Sequence, residues 1–121
     1  MVIKKILNIE TFVCKLEFTI TDNINKEVSK IYKKYNYISN DNDEVEGIVI
    51  TGYNDVYHLL IDSKYLTHNT IAHEIYHTTV RITEDRDVTD EETQAWLCGY
   101  ITDAVYKFID LKKIEIKKNG K

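Results

Sequence analysis

The chain has 121 residues and a formal net charge of −4, enough for one modest core in a single domain, 1–121. With 43% hydrophobic and 30% charged residues it has an ordinary globular composition, and its acidic balance sets it against general nucleic-acid binding. No stretch reaches the roughly 18 apolar residues of a membrane span, and the apolar run at the N-terminus is too short for a signal peptide, so a cytoplasmic location is expected.

In chain order, residues 2–9 and 11–20 are predicted as strands, the second alternating over Lys15-Leu16-Glu17-Phe18-Thr19-Ile20. Asp22 is predicted to cap a helix with Ile24, Val28, Ile31, Tyr32 and Tyr35 at amphipathic spacing. Residues 39–44 form an acidic run without the central Gly or closing Glu of a calcium-binding EF-hand loop, which predicts a solvated turn. A hairpin follows, 45–51 and 56–62, joined by Gly52-Tyr53-Asn54-Asp55. In its second strand Tyr57, Leu59 and Ile61 share one face, opposite His58, Leu60 and Asp62. His58 is read as a polar group on the less buried face. Cys14 and Cys98 form no CxxC pair and are read as packed, reduced thiols.

Residues 73–77 read His73-Glu74-Ile75-Tyr76-His77, an HExxH pattern inside a run, 65–81, that lacks Gly and Pro. Ser63, Thr67 and Asn69 are each eligible caps for that helix. Residues at i and i+4 share a helix face, so two imidazoles can grip one zinc ion. Glu74, beside the first histidine, leans over the metal instead of binding it and serves as general base. A hydrolytic zinc site needs a third protein ligand. Fifteen residues beyond His77, Thr89 is predicted to cap a second helix, with Glu92 at the capping-box position. Glu92 is the favoured third ligand and Glu91 its rival, because Ala95 and Gly99 on the Glu92 face are small enough to let the two helices approach closely.

The set His73, Glu74, His77 and Glu92, with Ala95 three residues on, resembles the gluzincin class of zinc metallopeptidases. The run Glu91-Glu92-Thr93-Gln94-Ala95-Trp96-Leu97-Cys98-Gly99-Tyr100-Ile101 resembles small HExxH proteins of tailed bacteriophages and prophages. The likeness covers roughly residues 56–106. It implies an α+β, minimal zincin-like domain: N-terminal strands and helix, hairpin, HExxH helix, then a long helix carrying the third ligand. It also implies zinc at His73, His77 and Glu92, and peptide hydrolysis with Glu74 as base. The partner would be a peptide or protein substrate paired along an edge strand, or a protein in a phage assembly, with neither nucleic acid nor membrane involved. Host cytoplasm or virion would be its place.

Two departures matter. Many gluzincins carry an Asp four residues after the ligand glutamate, where this chain has Trp96, so another group must orient the histidines. The residues after His77 lack the Gly and His of a metzincin. The alternative reading is a non-catalytic structural or binding protein on the same scaffold. Trp96 and Tyr100 are read as a packed stripe, Tyr76 and Tyr100 as core aromatics, His68 as exposed, and Asp103 as paired with a base. The phenol aimed at an oxyanion is left open among Tyr53, Tyr57, Tyr76 and Tyr100.

Overall fold

A computed structural model of the chain describes residues 1–35, 45–52 and 55–118. The turn expected at 39–44, and Tyr53 and Asn54 of the hairpin turn, lie outside the described residues. Strands β1 (Val2–Ile9) and β2 (Cys14–Thr21) pair antiparallel across a short 3-10 turn, Glu10–Phe12. Helix α1 (Ile24–Tyr35) leads to the hairpin β3 (Gly47–Thr51) and β4 (Val56–Asp62), and helices α2 (His68–Glu84) and α3 (Glu91–Leu111) complete a small α+β domain. Among the described residues the mixed sheet has the order β1-β2-β4-β3, with β4 parallel to β2 and β3 as the last strand. None of the described helices is long and apolar enough to cross a membrane.

A parallel β2–β4 pair needs a crossover, and α1 lies within it. The stripe Ile24, Val28 and Ile31 packs on Ile50 and Leu60, covering one sheet face. On the other face Phe18, Leu59 and Ile61 meet Ile71, Ile75 and Ile82 of α2 and Leu97, Ile101 and Phe108 of α3. With both faces covered, β4 has no less buried side. His58, expected on one, is 0% exposed, its Nδ1 lying 3.4 Å from Glu17 Oε1 and its ring against Tyr35. The crossover helix, which strand periodicity does not reveal, causes the difference.

The caps also move. Asp22 binds the N-terminal ammonium at 3.1 Å, and Asn23 caps α1 through Lys26 N–H. Thr67 caps α2, its hydroxyl accepting from Thr70 N–H at 3.0 Å. Asp90, not Thr89, caps α3, accepting from Thr93 N–H at 2.8 Å and from the Thr93 hydroxyl at 2.6 Å. A carboxylate outcompetes a hydroxyl there because it accepts both bonds and suits the positive helix end.

Several aromatics expected inside are outside. Tyr76 is 64% exposed, and Trp96 and Tyr100 stack on each other at the surface with ring centroids 5.4 Å apart. Helical spacing identifies a shared flank without saying whether anything covers it. Gly99 and Ala95 are exposed as well, and a Cβ at Gly99 would meet no atom within 4 Å. The small residues therefore do not serve a close approach of α3 to α2. Cys14 and Cys98 are free thiols, His68 is exposed with Nδ1 2.8 Å from Tyr106 Oη, and Asp103 pairs with Lys107 at 2.9 Å.

The turn after α2 is tied down by Arg86. Its Nε donates to the Phe12 carbonyl at 2.8 Å, Nη2 to Asp55 at 3.0 Å and Nη1 to the Tyr57 hydroxyl at 2.9 Å. Tyr57 in turn donates to Asp85. Burial, and then the Asp85 carboxylate, push the Tyr57 phenol up to about 12. A raised acid is protonated more readily in the folded chain, so its contribution is complete below the ordinary value of 10.0 and fades as pH climbs through about 12. Tyr57→Phe should cost about 1–2 kcal/mol at neutral pH. Denaturant melts of both proteins should show the gap closing between pH 10 and 12. A gap unchanged by pH would show that this hydroxyl does not set it.

Candidate metal centre and the strand edge beside it

His73 and His77 lie on the exposed face of α2, one turn apart, with Nε2 atoms 3.1 Å from each other and ring centroids 4.6 Å apart. Two nitrogens bound tetrahedrally to one zinc at 2.0–2.1 Å lie about 3.3 Å apart, so the pair fits a shared metal ion. No backbone rearrangement is needed to bring these two donors together.

Glu74 sits about 100° further round the helix. That rotation takes it off the solvent face and into the seam between α2 and β3, where it is 8% exposed. Its Oε2 is 4.0 Å from His73 Nε2. Burial holds the carboxyl above the usual carboxylate range, while His73, His77 and Arg81 pull it back and Glu46 pushes it up. A carboxylate raised in this way is a better proton acceptor than a solvated one.

The space Glu74 occupies depends on Gly47. A Cβ built at Gly47 would lie 2.7 Å from Glu74 Cγ and 3.1 Å from Oε2. The close approach of β3 to α2 therefore rests on a missing side chain.

Among the described residues the outer edge of β3 has no strand partner. Glu46 O accepts from Asp62 N–H and Gly52 N–H donates to Val56 O, both at 2.9 Å, so residues 46, 48, 50 and 52 turn their backbone groups toward β4. By the alternation of an antiparallel ladder, Gly47, Val49 and Thr51 turn theirs outward. Arg81, four residues after His77, donates through Nη1 to the outward Val49 carbonyl at 3.2 Å and to Thr51 Oγ1 at 3.5 Å. At the other end a groove of about 400 Å³ is lined by Glu46, Gly47, Thr70, His73 and Glu74, with Thr70 Oγ1 donating to Glu46 at 3.4 Å.

Glu92 and Glu91 stand in the exposed first turn of α3. The stripe Leu97, Ile101, Val105 and Phe108 faces the core. On a helical wheel Glu92 falls about 175° from the middle of that stripe. The helices run antiparallel, Gln94 beside Thr83 and Tyr106 beside His68, which sets Glu92 level with the last turn of α2 and not with His77. Among the described residues no group of three or more His, Cys, Asp or Glu side chains gathers as a metal site would. The structure thus joins His73, His77 and Glu74 and leaves Glu91 and Glu92 outside.

Gly47, Glu46 and Arg81 enter the site unannounced by the motif. Two signals could have found Gly47 and Arg81, an isolated glycine within a strand pattern and an arginine at the i, i+4, i+8 position of the histidine row; none marks Glu46. No family model matches the chain, and neither does any curated protein or solved structure.

Proposed function

We propose that the chain is a zincin-like, zinc-dependent metallopeptidase in which His73 and His77 hold the metal and Glu74 is the general base. The observation that carries this is the pair of imidazole nitrogens 3.1 Å apart with the Glu74 carboxylate wedged beside them. Zinc, when bound, would acidify water and polarise a peptide carbonyl. Glu74 accepts a proton from the attacking water at its carboxylate and returns it to the departing amine. Gly47 and Val49 present outward N–H groups on which an extended peptide adds as a further strand, across the groove that contains Glu74. Glu92 enters as third ligand on the sequence pattern alone, with Glu91 as its rival. A phage-encoded protein of this kind would act in the host cytoplasm or in the virion.

The outward position of Glu91 and Glu92 favours a second reading, a non-catalytic binding protein on the same scaffold, such as a virion component. Metal analysis separates the two. One equivalent of zinc in the wild type, none in His77→Ala and at least tenfold weaker binding in Glu92→Gln is the expected pattern for the enzyme. Absence of zinc from the wild type would overturn the metallopeptidase reading. Unchanged affinity in Glu92→Gln would remove that residue from the ligand set.

A further inference from the structure

We infer that Arg81 recognises a carboxylate on the peptide laid along β3, so that the site selects acidic peptides; this rests on the peptide-binding reading above. His73, His77 and Arg81 form one row on α2, with the Arg81 Cα about 6 Å beyond that of His77 along the axis. An extended chain advances about 3.3 Å per residue, so Arg81 stands roughly two residues from the histidine centre.

Arg81 is not left to wander in solvent. Among the described residues its hydrogen bonds are to Val49 O and Thr51 Oγ1, both made by Nη1, and its charge also acts on the Glu74 carboxylate. Among the described residues Nη2 and Nε of the guanidinium make no hydrogen bond, which leaves them for a ligand. A planar fork held at one corner suits bidentate capture of a carboxylate.

The same contact shapes the strand edge. An incoming chain finds the Gly47 groups and Val49 N–H open but the Val49 carbonyl already taken. Arg81 thus competes for that carbonyl and weakens backbone pairing beyond it, and a side-chain or terminal carboxylate completes the contact there. Glu46, at the opposite end of the edge, disfavours a second carboxylate and gives the groove a charge polarity.

The test measures binding by the full chain carrying Glu74→Gln, with and without one equivalent of zinc. The probes are fluorescent peptides differing only in Asp or Glu against Asn or Gln, each with a free or an amidated C-terminus. The acidic peptides should bind about tenfold tighter, and more so at low salt. Adding Arg81→Ala should bring the acidic-to-neutral affinity ratio to about one, whatever it does to both affinities together, and Arg81→Lys should keep part of the preference. A merely structural tether would weaken all peptides alike and leave the ratio intact, which would overturn the inference. So would a preference that survives Arg81→Ala, or the binding of no peptide at all. Preference surviving amidation assigns the carboxylate to a side chain; loss on amidation assigns it to the terminus, and either outcome supports Arg81 as the reader. Failure of zinc uptake would sink the metal reading separately, because the metal-free arm still decides on Arg81.

Discussion

Glu74→Gln should take up zinc as the wild type does, lose peptide hydrolysis by about 10²–10⁴-fold, and melt higher than the wild type when both are metal-free. The ring nitrogens that define the site belong to His73 and His77 and lie on the solvent face of α2, so an amide at position 74 leaves them in place. The carboxylate is buried, and its burial opposes ionisation more than the two histidines and Arg81 favour it. The folded chain therefore bears the cost of a poorly solvated charge at neutral pH. A raised acid contributes stability at low pH and gives it up as pH rises, so the isosteric amide should be the more stable at pH 7 and gain little below the ordinary carboxylate value. Zinc titration, a peptide-cleavage assay and thermal melts at pH 4 and pH 7 check the three parts. Turnover retained at wild-type rate would remove Glu74 from the base role. A lower melting point would mean that the carboxylate holds the seam between α2 and β3 together.

That combination, a residue that destabilises its fold where it would be useful, is common for groups kept for chemistry. It also explains how much of the site was legible in advance. The histidine pair was visible because i, i+4 spacing fixes a shared helix face whatever else the chain does, and the predicted helix differed from α2 by only three residues at each end. The strands and the hairpin were visible for the same reason, as local periodicity. Glu92 was a matter of phase. The core stripe Leu97, Ile101, Val105 and Phe108 lies nearly opposite Glu92, whereas the sequence reading set the Ala95–Gly99 face against α2. The buried positions of α3 then face Glu92 outward, and no reading of the acidic cluster alone could have chosen between Thr89 and Asp90. His58 failed differently: its burial comes from α1 crossing the sheet, a contact between segments far apart in sequence. Gly47 and Arg81 required the pairing order β1-β2-β4-β3, since only that order puts β3 last among the described strands, beside the HExxH helix.

The decisive role of that edge can be tested at a residue with no side chain. Gly47→Ala should keep zinc, change stability by less than about 1 kcal/mol, and lower hydrolysis by about 10²-fold. The backbone has no objection to a side chain at this position, because Gly47 is not in the left-handed region. The objection is contact: the new Cβ would lie 2.7 Å from Cγ and 3.0 Å from Cδ of Glu74. Those are middle atoms of the side chain, so relief requires Glu74 to leave the seam or β3 to draw back, and either displaces the carboxylate from beside His73. Overpacking of this kind costs about 1–3 kcal/mol, but replacing a strand glycine returns up to about 1 kcal/mol of conformational preference, and an exposed carboxylate recovers its hydration. Stability is therefore a poor readout on its own, and the double variant with Glu74→Ala is the informative one. With the Glu74 side chain gone, the three atoms nearest the added methyl are removed, so Gly47→Ala should become stabilising by about 0.5–1 kcal/mol. The two substitutions should then be non-additive by 1 kcal/mol or more, as expected for residues in direct contact. Strict additivity, or full activity in Gly47→Ala, would show that β3 does not hold Glu74 in place, and the assignment of this strand edge as the peptide-binding wall of the site would fall with it.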